Sequence, residues 1–175
     1  SLVGLKVEYR KVNSAPIYSR ENGITSISSH VQTHIHGPTQ AKNKFDFFFS
    51  KVIIDYFPSS RGIVGDVISD DDFVSMYYQN LAAKALTSND LHKAYSLLAA
   101  AMHLSQSNIE TLNTLAVVHK KFGRPDVAES IYKYILDNTK GSVNVLSNYV
   151  ILLQENNRNQ EAALYEDMYM DIEDN

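Results

Sequence analysis

Four side chains of one strand parity, His30, Gln32, His34 and His36, would all project from one face of a regular strand. Imidazoles two residues apart, here His34 and His36, can share a zinc or copper ion if a carboxylate such as Asp55 or Asp46 joins from a neighbouring strand. A polar strand face is more often simply solvated, so no metal and no cofactor are assigned. The 175 residues contain no cysteine, which removes disulfides, thiolate metal sites and a cysteine nucleophile. Asp70-Asp71-Asp72 looks like a metal-binding run, yet it directly precedes Phe73 and a helical pattern. There carboxylates cap free backbone amides and complement the helix dipole. Ser59-Ser60-Arg61-Gly62 has no phosphate-loop pattern, and Gly62, Gly65 and Asp66 mark a flexible connection.

The histidines sit in a β-rich segment, residues 1–68. Leu5 to Val12 alternates as a half-buried strand, and Asn13-Ser14-Ala15-Pro16 breaks it. Ile24 to Ile35 reads as a second strand, bent near Ser28-Ser29 and ended by His36-Gly37-Pro38. Phe45 to Phe57 is the most apolar stretch, with Val52-Ile53-Ile54 expected as a central strand. Three or four antiparallel strands are predicted, and a sheet so small needs a covering layer.

From residue 72 onward the pattern changes. Ala94, Ala128 and Ala162 recur at one fixed interval, and Leu81, Leu115 and Tyr149 keep the same interval. So do Ala82, Ala116 and Val150. Small residues at these positions let paired helices approach closely, and each pair can cover its apolar face only with its neighbour. The period and the residue types resemble the tetratricopeptide repeat. That resemblance divides residues 72–175 into units of about 75–108, 109–142 and 143–175. It has departures: Gln106 and Lys140 stand where the family has proline, and Ala101 is followed one unit on by Ile135 and then Tyr169. The fold class expected is α+β, a small antiparallel sheet followed by a stack of three tetratricopeptide helical hairpins.

Charge limits the partners. The segment 1–68 carries eight lysines and arginines against five carboxylates, and the remainder carries eight against fifteen. A net charge of −4 without a dense basic stripe argues against nucleic acid and against membrane-surface binding. No stretch approaches ~18 uncharged apolar residues, so a cytoplasmic protein is expected. An uncovered sheet or terminal repeat face leaves a homo-oligomer open.

Repeats of this kind imply a peptide or protein ligand on the concave surface of the first helices. The positions facing it are Gln79 and Ala83 in the first unit, then Asn113, Val117 and Lys120, then Asn144, Asn148 and Ile151. Family members that grip a terminal carboxylate use cations there, whereas Gln79, Ala83, Thr114, Asn144 and Asn148 supply none. A mixed polar and apolar surface remains.

Gly4-Leu5-Lys6-Val7-Glu8-Tyr9, Ser29-His30-Val31 and Ile53-Ile54-Asp55-Tyr56-Phe57-Pro58 resemble the trailing part of a transglutaminase-like, papain-type domain. That resemblance implies His30 as the base for a thiol nucleophile carried upstream of Gly4, and Asp55 as the carboxylate that orients it. The bland alternative is a histidine and a strand-end aspartate that satisfy local hydrogen bonds. Two functions follow: an interaction scaffold, favoured and not an enzyme in itself, or part of a cysteine amidase or protease.

Overall fold

The computed structural model describes residues 5–13, 18–21, 24–27, 30–37, 51–55, 63–106, 108–139 and 142–173. Asp46, Phe47, Phe48 and Phe49 lie outside them. Among the described residues six strands precede six helices: β1 (Lys6–Asn13), β2 (Tyr18–Glu21), β3 (Ile24–Ile27), β4 (His30–His36), β5 (Lys51–Asp55) and β6 (Ile63–Ile68). The helices are α1 (Asp70–Thr87), α2 (Leu91–Leu104), α3 (Ile109–Lys121), α4 (Pro125–Asn138), α5 (Val143–Glu155) and α6 (Asn159–Glu173). The α+β class expected from the sequence, a small antiparallel sheet and then three stacked helical hairpins, is what the chain forms. The chain clusters into two units, one of Ser1–Ile17 with Ser28–Phe73, the other of Tyr18–Ile27 with Val74–Asn175.

The described residues of the first unit form a four-stranded antiparallel sheet in the order β5-β4-β1-β6. β1 pairs with β4 from Lys6↔His36 to Val12↔His30. Ile24 to Ile35 is two strands rather than one bent strand, since β3 pairs with β2 in a separate two-stranded sheet. Among the described strands Val52-Ile53-Ile54 lies at an edge and not in the centre, with Val52 44% and Ile53 51% exposed. β-branched residues suit any pleated surface, so an apolar run cannot by itself distinguish an edge strand from a central one. Gly65 and Asp66 fall within a strand, not a flexible connection. Both stand opposite Lys11 alone in a β-bulge, which absorbs the extra residue while Arg10↔Val67 and Val12↔Val64 stay paired.

In α1, Asp70, Asp71 and Asp72 occupy the first turn, and the capping side chain is Ser69. Its hydroxyl accepts from the Asp72 amide at 3.0 Å and donates to the Asp72 carboxylate at 2.7 Å. Within the second unit, all three hairpin turns close the same way. Asn89, Gly123 and Asn157, each one repeat on from the last, take positive φ of 58°, 72° and 60°. The residue after each donates its amide to the carbonyl five back, Asp90 to Ala85, Arg124 to His119 and Arg158 to Leu153, at 2.9, 3.0 and 2.9 Å. Pro125 then opens α4 at a position where no amide hydrogen is needed.

Ala94, Ala128 and Ala162 are all buried, as the close helix approach requires. Around them form two apolar clusters. Ala82, Ala85 and Leu86 of α1 meet Leu98 of α2 and Val117 and Val118 of α3. Leu112 and Ala116 of α3, Tyr132 and Ile135 of α4, and Tyr149 and Leu153 of α5 make the other. Tyr149 stands between Tyr132 and Tyr165, with ring centroids 5.5 and 4.7 Å away. Burial of such side chains, each worth about 1.5–3 kcal/mol, holds neighbouring hairpins together. The β2-β3 hairpin belongs to this unit, and β3 lies against α5 and α3.

Candidate functional site

The helices α1, α3 and α5 present one polar row. Gln79 Nε2 lies 3.5 Å from Thr114 Oγ1, and Asn148 Nδ2 donates to Asn113 Oδ1 at 3.1 Å. Asn144 Nδ2 donates to Glu110 Oε2 at 2.7 Å, and Lys120 Nζ meets Glu155 Oε1 at 3.0 Å. Each bond joins residues 34 or 35 apart, so the register that repeats the core also aligns polar groups on successive first helices.

Local structure fixes the row. Asn108 caps α3 by accepting from the amides of Glu110 and Thr111, which starts the helix at Ile109. Ser142 donates to Asn144 Oδ1, which also accepts the Val145 amide at 3.0 Å. Of the residues proposed from the sequence, Gln79, Asn113, Asn144 and Asn148 are 5%, 3%, 0% and 3% exposed. Ala83, Lys120 and Ile151 are half-buried, and Val117 is part of the core cluster with Leu98 and Val118. A buried amide must find partners or cost about 1–3 kcal/mol, so this is a fully built polar seam rather than a wet surface.

A second network escaped sequence reasoning. Arg158 reaches Glu129 through both terminal nitrogens, at 2.6 and 3.0 Å, and reaches Glu161 at 2.6 Å. Lys133 adds 2.7 Å to Glu129, and the Tyr149 hydroxyl donates to it at 3.3 Å. The Arg158 guanidinium, with Lys133 beside it, holds the Glu129 carboxyl at about 2. The spacings Glu129 to Lys133 and Arg158 to Glu161 were visible as helical pairs, but the bond from α4 to the turn before α6 was not.

On the sheet, Gln32 faces Asp55 across β4 and β5, and its Nε2 donates to Asp55 Oδ2 at 2.8 Å. His34 is buried, and its Nε2 is 3.1 Å from Gln32 Oε1. Since an amide oxygen only accepts, Nε2 carries the proton, and His34 Nδ1 has no partner among the described residues. Burial lowers the affinity of this imidazole for a second proton. His36 goes elsewhere, with its Nε2 3.1 Å from Glu8 Oε2. Lys6, 2.7 Å from Glu8, and then His36 hold that carboxyl at about 2. The rings of His34 and His36 therefore serve different partners. Among the described residues, no three histidines or carboxylates gather as they would around an ion. His30 opens β4 opposite Val12, and its side chain lies outside the described residues.

Residues 65–165 match the coatomer epsilon subunit family, whose helical domain is tetratricopeptide-like. No curated protein matches the sequence. The match corrects both resemblances drawn from the sequence. The helical hairpins group with coatomer epsilon rather than with tetratricopeptide proteins proper, and no transglutaminase-like domain is shown for the residues before them. His30 and Asp55 accordingly lose the roles of base and orienting carboxylate that rested on that second resemblance. Asp55 accepts from the Gln32 amide. The period identified the stack of helical hairpins but not its family, because stacked helix pairs of that length can return small residues at the same places. With more than half of its residues matched, the chain belongs to the coatomer epsilon subunit family.

Proposed function

We propose that this chain is a protein-binding scaffold of a vesicle coat, holding another coat subunit on the face made by α1, α3 and α5. The family match carries the reading, since residues 65–165 match the family of a coat subunit. The buried polar seam supports it: the bonds Gln79–Thr114, Asn148–Asn113 and Asn144–Glu110 tie α1, α3 and α5 together, so the half-buried positions beside it, Ala83, Lys120 and Ile151, stand on a preorganised frame. Among the described residues no helix is long and apolar enough to cross a membrane. Attachment to a coated membrane from the cytosolic side would then run through the partner.

The test is capture of coat subunits by the tagged full chain from a cytosolic extract. The intact chain should recover them. A variant carrying Lys120→Glu with Ile151→Arg, both at half-buried positions, should lose at least about ten-fold in recovery while keeping its helical circular dichroism. Recovery of no coat subunit by the intact chain, or undiminished recovery by the variant, would overturn the proposal.

A further inference from the structure

The last helix, α6, rests on α5 by one side. Ala162 is 1% exposed there, and the Tyr165 ring centroid lies 4.7 Å from that of Tyr149. At 3.6 residues per turn, Leu164 and Met168 fall on the other side, one turn apart, and they are 65% and 50% exposed. The earlier hairpins show that the fold does not ask for apolar groups at these places. One and two repeats before Leu164 stand Ser130 and Ser96, whose hydroxyls donate to the carbonyls of Asp126 and His92 at 2.9 and 3.0 Å. Before Met168 stand Tyr134 and Ala100, and before Asp167, exposed beside the ridge, stand Lys133 and Ala99.

Charge on this helix has one sign. Residues 159–173 carry Glu161, Glu166, Asp167, Asp171 and Glu173 and no lysine or arginine. Arg158 neutralises Glu161 and the Gln154 amide donates to Glu166, which leaves Asp167 next to Leu164 and Met168. A second copy of the chain would bring the same carboxylates against these, and an anionic lipid surface would be repelled, so charge selects a cationic occupant. Shape selects its form. A helix with its backbone bonds closed offers no edge for strand pairing, whereas a ridge of side chains one turn apart fits the groove of another helix.

We propose that the outer face of α6 docks a basic amphipathic helix of a partner protein, whose apolar stripe covers Leu164 and Met168 and whose lysines or arginines stand beside Asp167. This face is separate from the α1, α3 and α5 face of the scaffold reading and does not depend on that reading.

The probe is a labelled synthetic peptide of leucine and lysine at helical spacing, titrated into the full chain beside a counterpart with glutamate in place of every lysine. The intact chain should bind the lysine peptide saturably and the glutamate peptide at least about ten-fold more weakly, and added salt should weaken the first. Leu164→Ser with Met168→Ala gives α6 residues found at the same places in earlier repeats, so it should keep the helical circular dichroism while binding the lysine peptide at least about ten-fold more weakly. Asp167→Lys, again an earlier repeat's residue, should weaken it at least about three-fold. Lys120→Glu with Ile151→Arg should bind the peptide as the intact chain does, so loss of coat capture by that variant and loss of peptide binding by the α6 variants report on different faces. No saturable binding of the lysine peptide, equal binding of both peptides, or undiminished binding by either folded α6 variant overturns the proposal. So does loss of peptide binding in the Lys120→Glu, Ile151→Arg variant, which would put the peptide on the other face. Self-association of the intact chain in sedimentation that Leu164→Ser with Met168→Ala abolishes would overturn it in favour of a second copy. Should that double variant fail to fold, Asp167→Lys alone decides.

Discussion

Single backbone conformations set the hairpin turns. Gly123 has φ of 72°, and a side-chain carbon placed there would meet nothing within 4 Å. Space is thus no obstacle to alanine at this site. The left-handed conformation is, because it brings a β-carbon too close to the following carbonyl at a cost of about 1–2 kcal/mol. Gly123→Ala should lower stability by about 1 kcal/mol in urea unfolding, and Asn157→Gly, at the equivalent turn, should leave it unchanged or slightly raised. Glycine was legible in the sequence as the helix stop in the second unit. The two asparagines that do the same work were legible only as turns, because asparagine visits several conformations and the sequence does not say which.

At the scale of elements, the helices were readable and the strands were only partly so. The alanines that return once per repeat announce themselves because helical contact at close range tolerates no larger group. Ala128 is fully buried against α3 and α5 side chains, so Ala128→Leu should cost about 1–3 kcal/mol in the same unfolding measurement. Ala99→Leu, on the exposed side of α2, should shift it by no more than about 0.5 kcal/mol. Strand order has no comparable signature. Val52-Ile53 is as β-prone as any central strand, and its position at an edge is decided by pairing partners far away in the chain. The candidate site was half legible for a related reason. Asn113, Asn144 and Asn148 were grouped by periodicity as open positions, whereas they are buried, and β3, which lies against α5 and α3, precedes every helix in the chain and left no sign of that placement in the sequence.

For the molecule as a whole, acid response is a collective property that traces to few groups. In the helical unit Glu129 joins the second hairpin to the third through Arg158. Its folded value of about 2 lies below the ordinary 4.5, so its contribution is complete above about pH 4.5. That contribution falls as pH drops from 4.5 toward 2, where the folded carboxylate itself takes a proton. Glu129→Gln should therefore lower stability at pH 7 by about 1–3 kcal/mol, and should flatten the loss between pH 5 and 2.5. Thermal melts of both proteins across that range provide the check, and parallel curves would contradict the assignment.

One consequence of the placement of β2 and β3 concerns how this protein can be divided. Neither compact unit is a continuous run of sequence, since the backbone passes from one to the other after Ile17, again after Ile27 and again after Phe73. A truncated product starting at Val74 would retain α2 to α6 whole but arrive without β3, which rests on α3 and α5, and without its partner β2. Ancestral shuffling of the helical array into a new setting would have faced the same constraint. Either the inserted strands travelled with it on a separate stretch of gene, or the recipient context had to supply a substitute.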